Sequence, residues 1–202
     1  MMWQPFDFGN KKDVFAYGWD INKVNNIKSY SFSGGNVSAY RIYPQNNMAI
    51  IMMSSGYNLF PIHYRMVNHV AAMIDKNLTD DYSLAEETII SEFSKKNNPD
   101  AEKVYYSIKA KNPKWNFENT MNDTGYILLR NSRVDEAIKV FVLNVKENPQ
   151  SANAFDSLGE SYFSAQNYTL ALENYKKSLA LNPDNINAAK MINEIENITK
   201  KE

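Results

Sequence analysis

A serine followed by two glycines closes the stretch "YSFSGG", residues 30–35. A Ser-Gly-Gly at the end of an aromatic strand has the makings of an active-site wall. Chemistry there needs a nucleophile and a proton-transfer group, and the rest of the chain offers few. Cysteine is absent, which excludes disulfides, thiolate metal sites and cysteine nucleophiles together. His63 and His69 are six apart on one expected helix, so they fall on different faces, and no H-E-x-x-H, G-x-S-x-G or P-loop pattern occurs. No metal and no cofactor is expected. Trp3 and Trp19, with Phe6, Phe8 and Tyr17, could line a ligand groove, or simply pack a small sheet.

The elements that must position these residues belong to a chain of 202 residues, 44% hydrophobic and 22% charged, long enough for one medium domain or two small ones. A net charge of −1 gives no reason to expect nucleic acid as a partner. No apolar run approaches the roughly 18 residues of a membrane span. The start, "MMWQPFDFGNKK", has neither a basic n-region nor an apolar h-region, so as written the chain is expected in the cytoplasm. Residues 1–78 carry seven basic against four acidic side chains, and residues 79–202 fifteen against nineteen. Halves of opposite sign are compatible with mutual docking.

The first half alternates with period two. Phe15, Tyr17, Trp19 and Ile21 fall on one face of an expected strand, and Asn25-Asn26 between Val24 and Ile27 suits a hairpin turn. Strands follow over about 27–32 and 39–43. The run "MAIIMM", residues 48–53, is apolar throughout and suits a central strand covered on both faces. A meander of about four antiparallel strands results. A helix from Pro61 then shows Ile62, Met66, Val70, Met73 and Ile74 at spacings of three and four. The polar stretch 75–83 marks the expected domain boundary, between 78 and 79.

Beyond it the period becomes helical and the chain repeats itself. Gly125 matches Gly159, Ala137 matches Ala171, Phe141 matches Tyr175 and Pro149 matches Pro183, each 34 residues apart. This resembles the tetratricopeptide repeat, a helix-turn-helix unit of the same period. The resemblance implies that the small residues let two helices approach and that the proline ends the second helix. Two good repeats are expected at about 118–151 and 152–185, with a degenerate one at about 82–115 and a terminal helix at about 186–198. In the degenerate copy Ile89 replaces the glycine, and two residues are inserted near "KWNF". Ser151 reads as a helix cap.

The order "AYGWDI", "SYSFSGG", "YRIYPQNN", "MAIIMMSSG" and a closing helix resembles the carboxy-terminal part of the serine β-lactamase and penicillin-binding-protein-like hydrolases, a bacterial family, in their class C and esterase branch. The resemblance implies that Ser33, Gly34 and Gly35 occupy the box beside the nucleophile, where nearby backbone N–H groups hold an oxyanion. Phe32 stands where that family has His or Lys, and it can neither move a proton nor donate a hydrogen bond. No serine is followed three residues later by lysine, and no Tyr-x-Asn occurs. The catalytic set is therefore incomplete, with Phe32, Ser33, Gly34 and Gly35 as a vestigial box.

The expected fold class is α+β: a small antiparallel β-meander with a packed helix, as a partial β-lactamase-like domain, followed by an all-α tetratricopeptide solenoid. The expected function is a non-catalytic protein- or peptide-binding chain carrying a truncated hydrolase tail. The alternative is part of a serine hydrolase acting on an ester, amide or β-lactam, with its nucleophile half on a missing or separate chain. That parent would be periplasmic or exported. The repeat register points Asn122, Tyr126 and Arg130, then Asp156, Glu160 and Phe163, into a concave face. The partner there is a protein, a peptide or the chain's own β-domain. The family's carboxylate-gripping mode uses lysine, arginine and asparagine, and this mixed, partly acidic set argues against it. Self-association through an uncovered sheet is also expected.

Overall fold

The computed structural model describes residues 15–16, 19–34, 38–53 and 62–200. Two compact units divide the chain, residues 1–87 and 88–202. In the first, strands β1 (Phe15–Ala16), β2 (Trp19–Val24), β3 (Ile27–Gly34), β4 (Ser38–Tyr43) and β5 (Met48–Met53) form one antiparallel sheet in that order. Asn25 and Asn26 close the β2–β3 hairpin with φ of 47° and 69°, the two left-handed residues of a type I′ turn.

Three expectations change. The run 15–22 is not one strand, because Ala16 pairs antiparallel with Trp19. Alternation of side-chain type does not record a chain reversal, and Tyr17 and Gly18 lie outside the described residues. "MAIIMM" is not central: β5 is the edge of the sheet, with Ile51 and Met53 62% and 75% exposed. An uncharged run shows that both faces avoid charge, not that both are covered.

The third change concerns helix α1 (Ile62–Ile74), which packs on β4 and β5. Among its described side chains Arg65, Val67 and Ala71 are buried and Met66, Val70, Met73 and Ile74 are exposed, while the Ile62 side chain lies outside the described ones. The stripe with helical spacing is thus the outward one. Ala71 fits against Tyr43 and Leu78 because the small residue lets the helix approach the sheet.

The register places Asn22, Ser29, Ser31, Arg41 and Tyr43 on the helix-covered face and Trp19, Phe32, Tyr40 and Ile51 on the other, open in that no described element covers it. The covered face is polar enough to need its own bonds. Asn22 Nδ2 donates to Ser31 Oγ at 2.8 Å, and buried Arg65 pairs with Glu86 at 3.3 Å.

Helix α2 (Asp81–Ser94) runs through the division between the units. The second unit continues with α3 (Ala101–Lys111), α4 (Glu118–Arg130), α5 (Val134–Glu147), α6 (Ala152–Ser164), α7 (Tyr168–Leu181) and α8 (Ile186–Thr199). Within α4/α5 and α6/α7 the glycine of the first helix lies under the ring of the second. A Cβ on Gly125 would stand 2.5 Å from Phe141 Cε1, and one on Gly159 3.1 Å from Tyr175. The turns repeat as well: Asn97, Ser132 and Gln166 each take a left-handed φ, of 54°, 58° and 59°.

Each repeat also closes on itself by a polar bond. Buried Asn144 donates to the Glu118 carbonyl at 3.1 Å, and 34 residues on Ser178 Oγ donates to the Ala152 carbonyl at 2.7 Å. Ser151 caps α6 by accepting from Ala154 N–H at 3.0 Å, and Asn167 and Asn185 cap α7 and α8 in the same way. The insertion near "KWNF" sends Phe117 into the core, edge-on to Tyr105 with centroids 6.1 Å apart. Ala188 and Ile195 of α8 are buried against Ala171 and Tyr175, sealing the end of the array.

Candidate functional site

The residues expected as a vestigial box, Phe32 to Gly35, begin at the end of β3, and no comparison supports a hydrolase relationship for them. Phe32 is half-exposed on the open face, between Trp19 at 6.3 Å and Tyr40 at 6.4 Å, so its ring is one rung of an aromatic row. Ser33 and Gly34 pair with Ala39 and Ser38, and Gly35 lies outside the described residues. Behind Phe32, on the covered face, Asp20, Asn22, Ser31 and Arg41 line a recess of about 150 Å³. Burial pushes the Asp20 carboxyl up, and the Arg41 guanidinium opposes it. None of these groups is a histidine or lysine that would activate a serine.

The six residues assigned to the repeat face separate into different roles. Tyr126 on α4 donates its hydroxyl to Glu160 Oε2 on α6 at 2.7 Å, and Ser157 Oγ lies 3.3 Å from the Tyr126 hydroxyl. The Tyr126 ring meets Phe141 edge-on at 5.4 Å, and burial pushes its hydroxyl well above the ordinary tyrosine range. Asp156 faces the other way along the array. Its two oxygens accept from Asn185 and Asn187, each at 2.9 Å. The first helices α4, α6 and α8 are thus stitched side by side by their own polar side chains.

The other three stand apart. Asn122 is half-buried, and its Oδ1 has no hydrogen-bond partner among the described residues. Arg130 is exposed at the end of α4. Phe163 packs on Tyr168 at 5.7 Å and on the core around Tyr175.

Sequence reasoning passed over the asparagines. Asn119, Asn153 and Asn187 are exposed and occupy one position of three successive first helices, 34 residues apart. That register was available in the sequence, but exposed polar residues carry no packing signal. Asn153 borders an open cleft of about 360 Å³ between the starts of α6 and α8. Asp156, Asn182, Asp184, Asn185 and Ile186 complete it, and no basic side chain lines it.

A larger cleft of about 400 Å³ lies on the second-helix side, bordered by Phe93, Pro99, Glu136, Val140 and Leu143. Lys95, Glu102 and Lys139 also line it, and Glu136 is held from outside by Arg133. The Arg133 guanidinium donates to the Ser94 and Lys95 carbonyls at the end of α2 and pairs with Glu136 at 2.6 Å. That partnership holds the Glu136 carboxyl down at about 2. Among the described residues there is no cluster of metal-ligating side chains, and no helix is long and apolar enough to cross a membrane.

The tetratricopeptide repeat family profile matches residues 152–185, the α6/α7 pair. No curated protein is significantly similar to the chain. Among solved structures, the first tetratricopeptide domain of Spaghetti (RPAP3) bound to the HSP90 peptide SRMEEVD is 18% identical, with a TM-score of 0.44, covering 59% of this chain and 93% of that one. The Sgt2 tetratricopeptide domain from Aspergillus fumigatus is 14% identical, with a TM-score of 0.44, covering 61% and 82%. MamA from residue 41 to its end, from Desulfovibrio magneticus RS-1, is 20% identical, with a TM-score of 0.47, covering 68% and 75%.

Proposed function

We propose that the repeat module, taken over residues 79–202, docks a protein or peptide segment rich in hydrogen-bond donors and positive charge along α4, α6 and α8. The cleft between α6 and α8 carries this reading. Two carboxylates surround it, Asp184 and the Asp156 that already accepts from Asn185 and Asn187, together with the amides of Asn153 and Asn182. Beside them Ile186 is 83% exposed, a ready contact for one apolar side chain. Lysine, arginine or an amino terminus satisfies such acceptors, and an acidic segment meets like charge. Tyr126 and Glu160 then act as the floor that fixes helix spacing rather than as ligand contacts.

The test compares fluorescent lysine-rich and glutamate-rich peptides of equal length, each carrying one leucine, by anisotropy. The lysine-rich peptide binds, binding weakens with salt, and Asp184→Asn, which leaves the Asp156 bonds between α6 and α8 in place, weakens it severalfold. Equal binding of both peptides, or no change in the variant, rejects the reading.

A second reading, a hydrolase half completed by another polypeptide, is favoured by one observation. The open face of the sheet presents Trp19, Phe32, Tyr40 and Ile51 without a covering layer among the described residues. A chromogenic ester or cephalosporin offered to the chain with any co-purifying protein decides it. Turnover lost on Ser33→Ala supports it, and no turnover with a partner bound removes it.

A further inference from the structure

We infer that the chain forms a closed two-fold dimer through β5 and α1, a surface independent of the peptide reading above. Among the described residues β5 is the edge of the sheet, and Met48–Met53 carries no proline and no charged residue to keep a second strand away. Natural edges lacking such guards are covered. The stripe of α1 that no described residue covers lies beside that edge, as the helix's orientation shows. Val67 borders Ala39 and Ser31 towards one end of the strands, and Ala71 meets Tyr43 and Met48 at the other, so α1 runs antiparallel to β5. Val67 and Ala71 point at the sheet. Arg65, Asn68 and His69 turn to Glu86, Ser83 and Glu87. In a right-handed helix the third side, with Met66, Val70, Met73 and Ile74, then overhangs the free edge of β5.

One two-fold operation covers both features. Antiparallel pairing of β5 with β5 of a second copy satisfies the edge amides. Alternation traced from the Val24–Ile27 closing pair turns the backbone groups of Ala49, Ile51 and Met53 outward. Centring the axis on Ile51 sets it opposite Ile51 of the second copy. Each α1 sits over β4 and β5, about half a strand spacing inside the edge, so the two helix axes come to roughly 10 Å apart. That is about the usual helix–helix packing distance of 8–10 Å. The apolar stripes then meet across the axis.

The opposite edge decides against a chain of copies. Among the described residues β1 is two residues long, and the part of β2 beyond it carries Lys23, a guard of the kind that β5 lacks, so head-to-tail pairing is disfavoured and pairing closes at two.

The protein has no cysteine, which makes Ile51→Cys a clean reporter. Directly opposed residues of a hydrogen-bonded strand pair lie about 5.5 Å apart at Cα, within disulfide reach. We expect light scattering of the full chain to give a dimer and Met73→Glu to give a folded monomer by circular dichroism. Mild oxidation should trap Ile51→Cys as a covalent dimer, while Phe32→Cys, on the open face, stays monomeric on denaturing gels. A wild-type monomer at all concentrations, as when another polypeptide covers the edge, overturns the proposal. So do larger open-ended assemblies, a dimer that survives Met73→Glu, or trapping at Phe32→Cys and not at Ile51→Cys.

Discussion

Tyr126 and Glu160, 34 residues apart in sequence, share a 2.7 Å hydrogen bond between the first helices of adjacent repeats. The bond turns the period of the sequence into a contact, because each residue occupies the same position in its own repeat. Tyr126 is half-buried and its acceptor is a carboxylate, so the bond belongs to the stronger, charge-assisted kind. Tyr126→Phe should destabilise the helical unit by about 1.5–3 kcal/mol in urea unfolding, with the m-value unchanged. A loss below about 0.5 kcal/mol would show that water replaces the tyrosine without cost.

The two repeat glycines should not respond alike. Alanine is favoured over glycine in a helix by about 1 kcal/mol, while overpacking costs about 1–3 kcal/mol. At Gly159 the ring of Tyr175 stands 3.1 Å from the added Cβ, so the terms nearly cancel. At Gly125 the Phe141 ring lies inside contact distance and must move. Gly125→Ala should therefore lower the thermal midpoint, and Gly159→Ala should leave it within about 2 °C. Equal responses would falsify the packing argument.

Acid should weaken the Arg133–Glu136 contact in a defined window. Hydrogen bonding from Arg133 lowers the Glu136 carboxyl from 4.5 to about 2, overcoming the opposing effect of burial. A depressed carboxylate contributes stability above its unfolded value, lost as pH falls through the folded one. The contribution should be whole above pH 4.5 and fade towards pH 2. Glu136→Gln should remove this part of the acid dependence, seen as a flatter stability curve in denaturant titrations. A slope unchanged in the variant would place the acid sensitivity elsewhere.

Left-handed backbone at a residue with a side chain costs roughly 1–2 kcal/mol relative to the right-handed form, and glycine escapes that cost. Gln166 has φ of 59° in an exposed turn. Gln166→Gly should raise stability by up to about 1 kcal/mol in chemical denaturation. A decrease would mean that the flexibility gained by the unfolded chain outweighs the relief.

The repeats were legible because close packing leaves its mark on residue size. Gly125 under Phe141 and Gly159 under Tyr175 can be read as small-and-large pairs at a fixed interval. The β unit was legible in its elements but not in its orientation. The stripe of Met66, Val70, Met73 and Ile74 promised a core and faces outward, while Arg65 and Arg41 are buried. Apolar spacing shows that a face avoids water and cannot name what covers it. The asparagine row at 119, 153 and 187 shares the repeat interval, yet an exposed amide has no size constraint to mark it. The bond from Asp156 to Asn187 was hidden for the same reason.

The self-closing bonds of Asn144 to Glu118 and Ser178 to Ala152 bear on how each repeat is held closed. Each ties a second helix to the first residue of its own repeat rather than to a neighbour. Release of one repeat frees 34 residues, a contour of about 110–120 Å at full extension. Each helix pair thus carries its own closure, and the repeat period sets the length of chain that each closure secures.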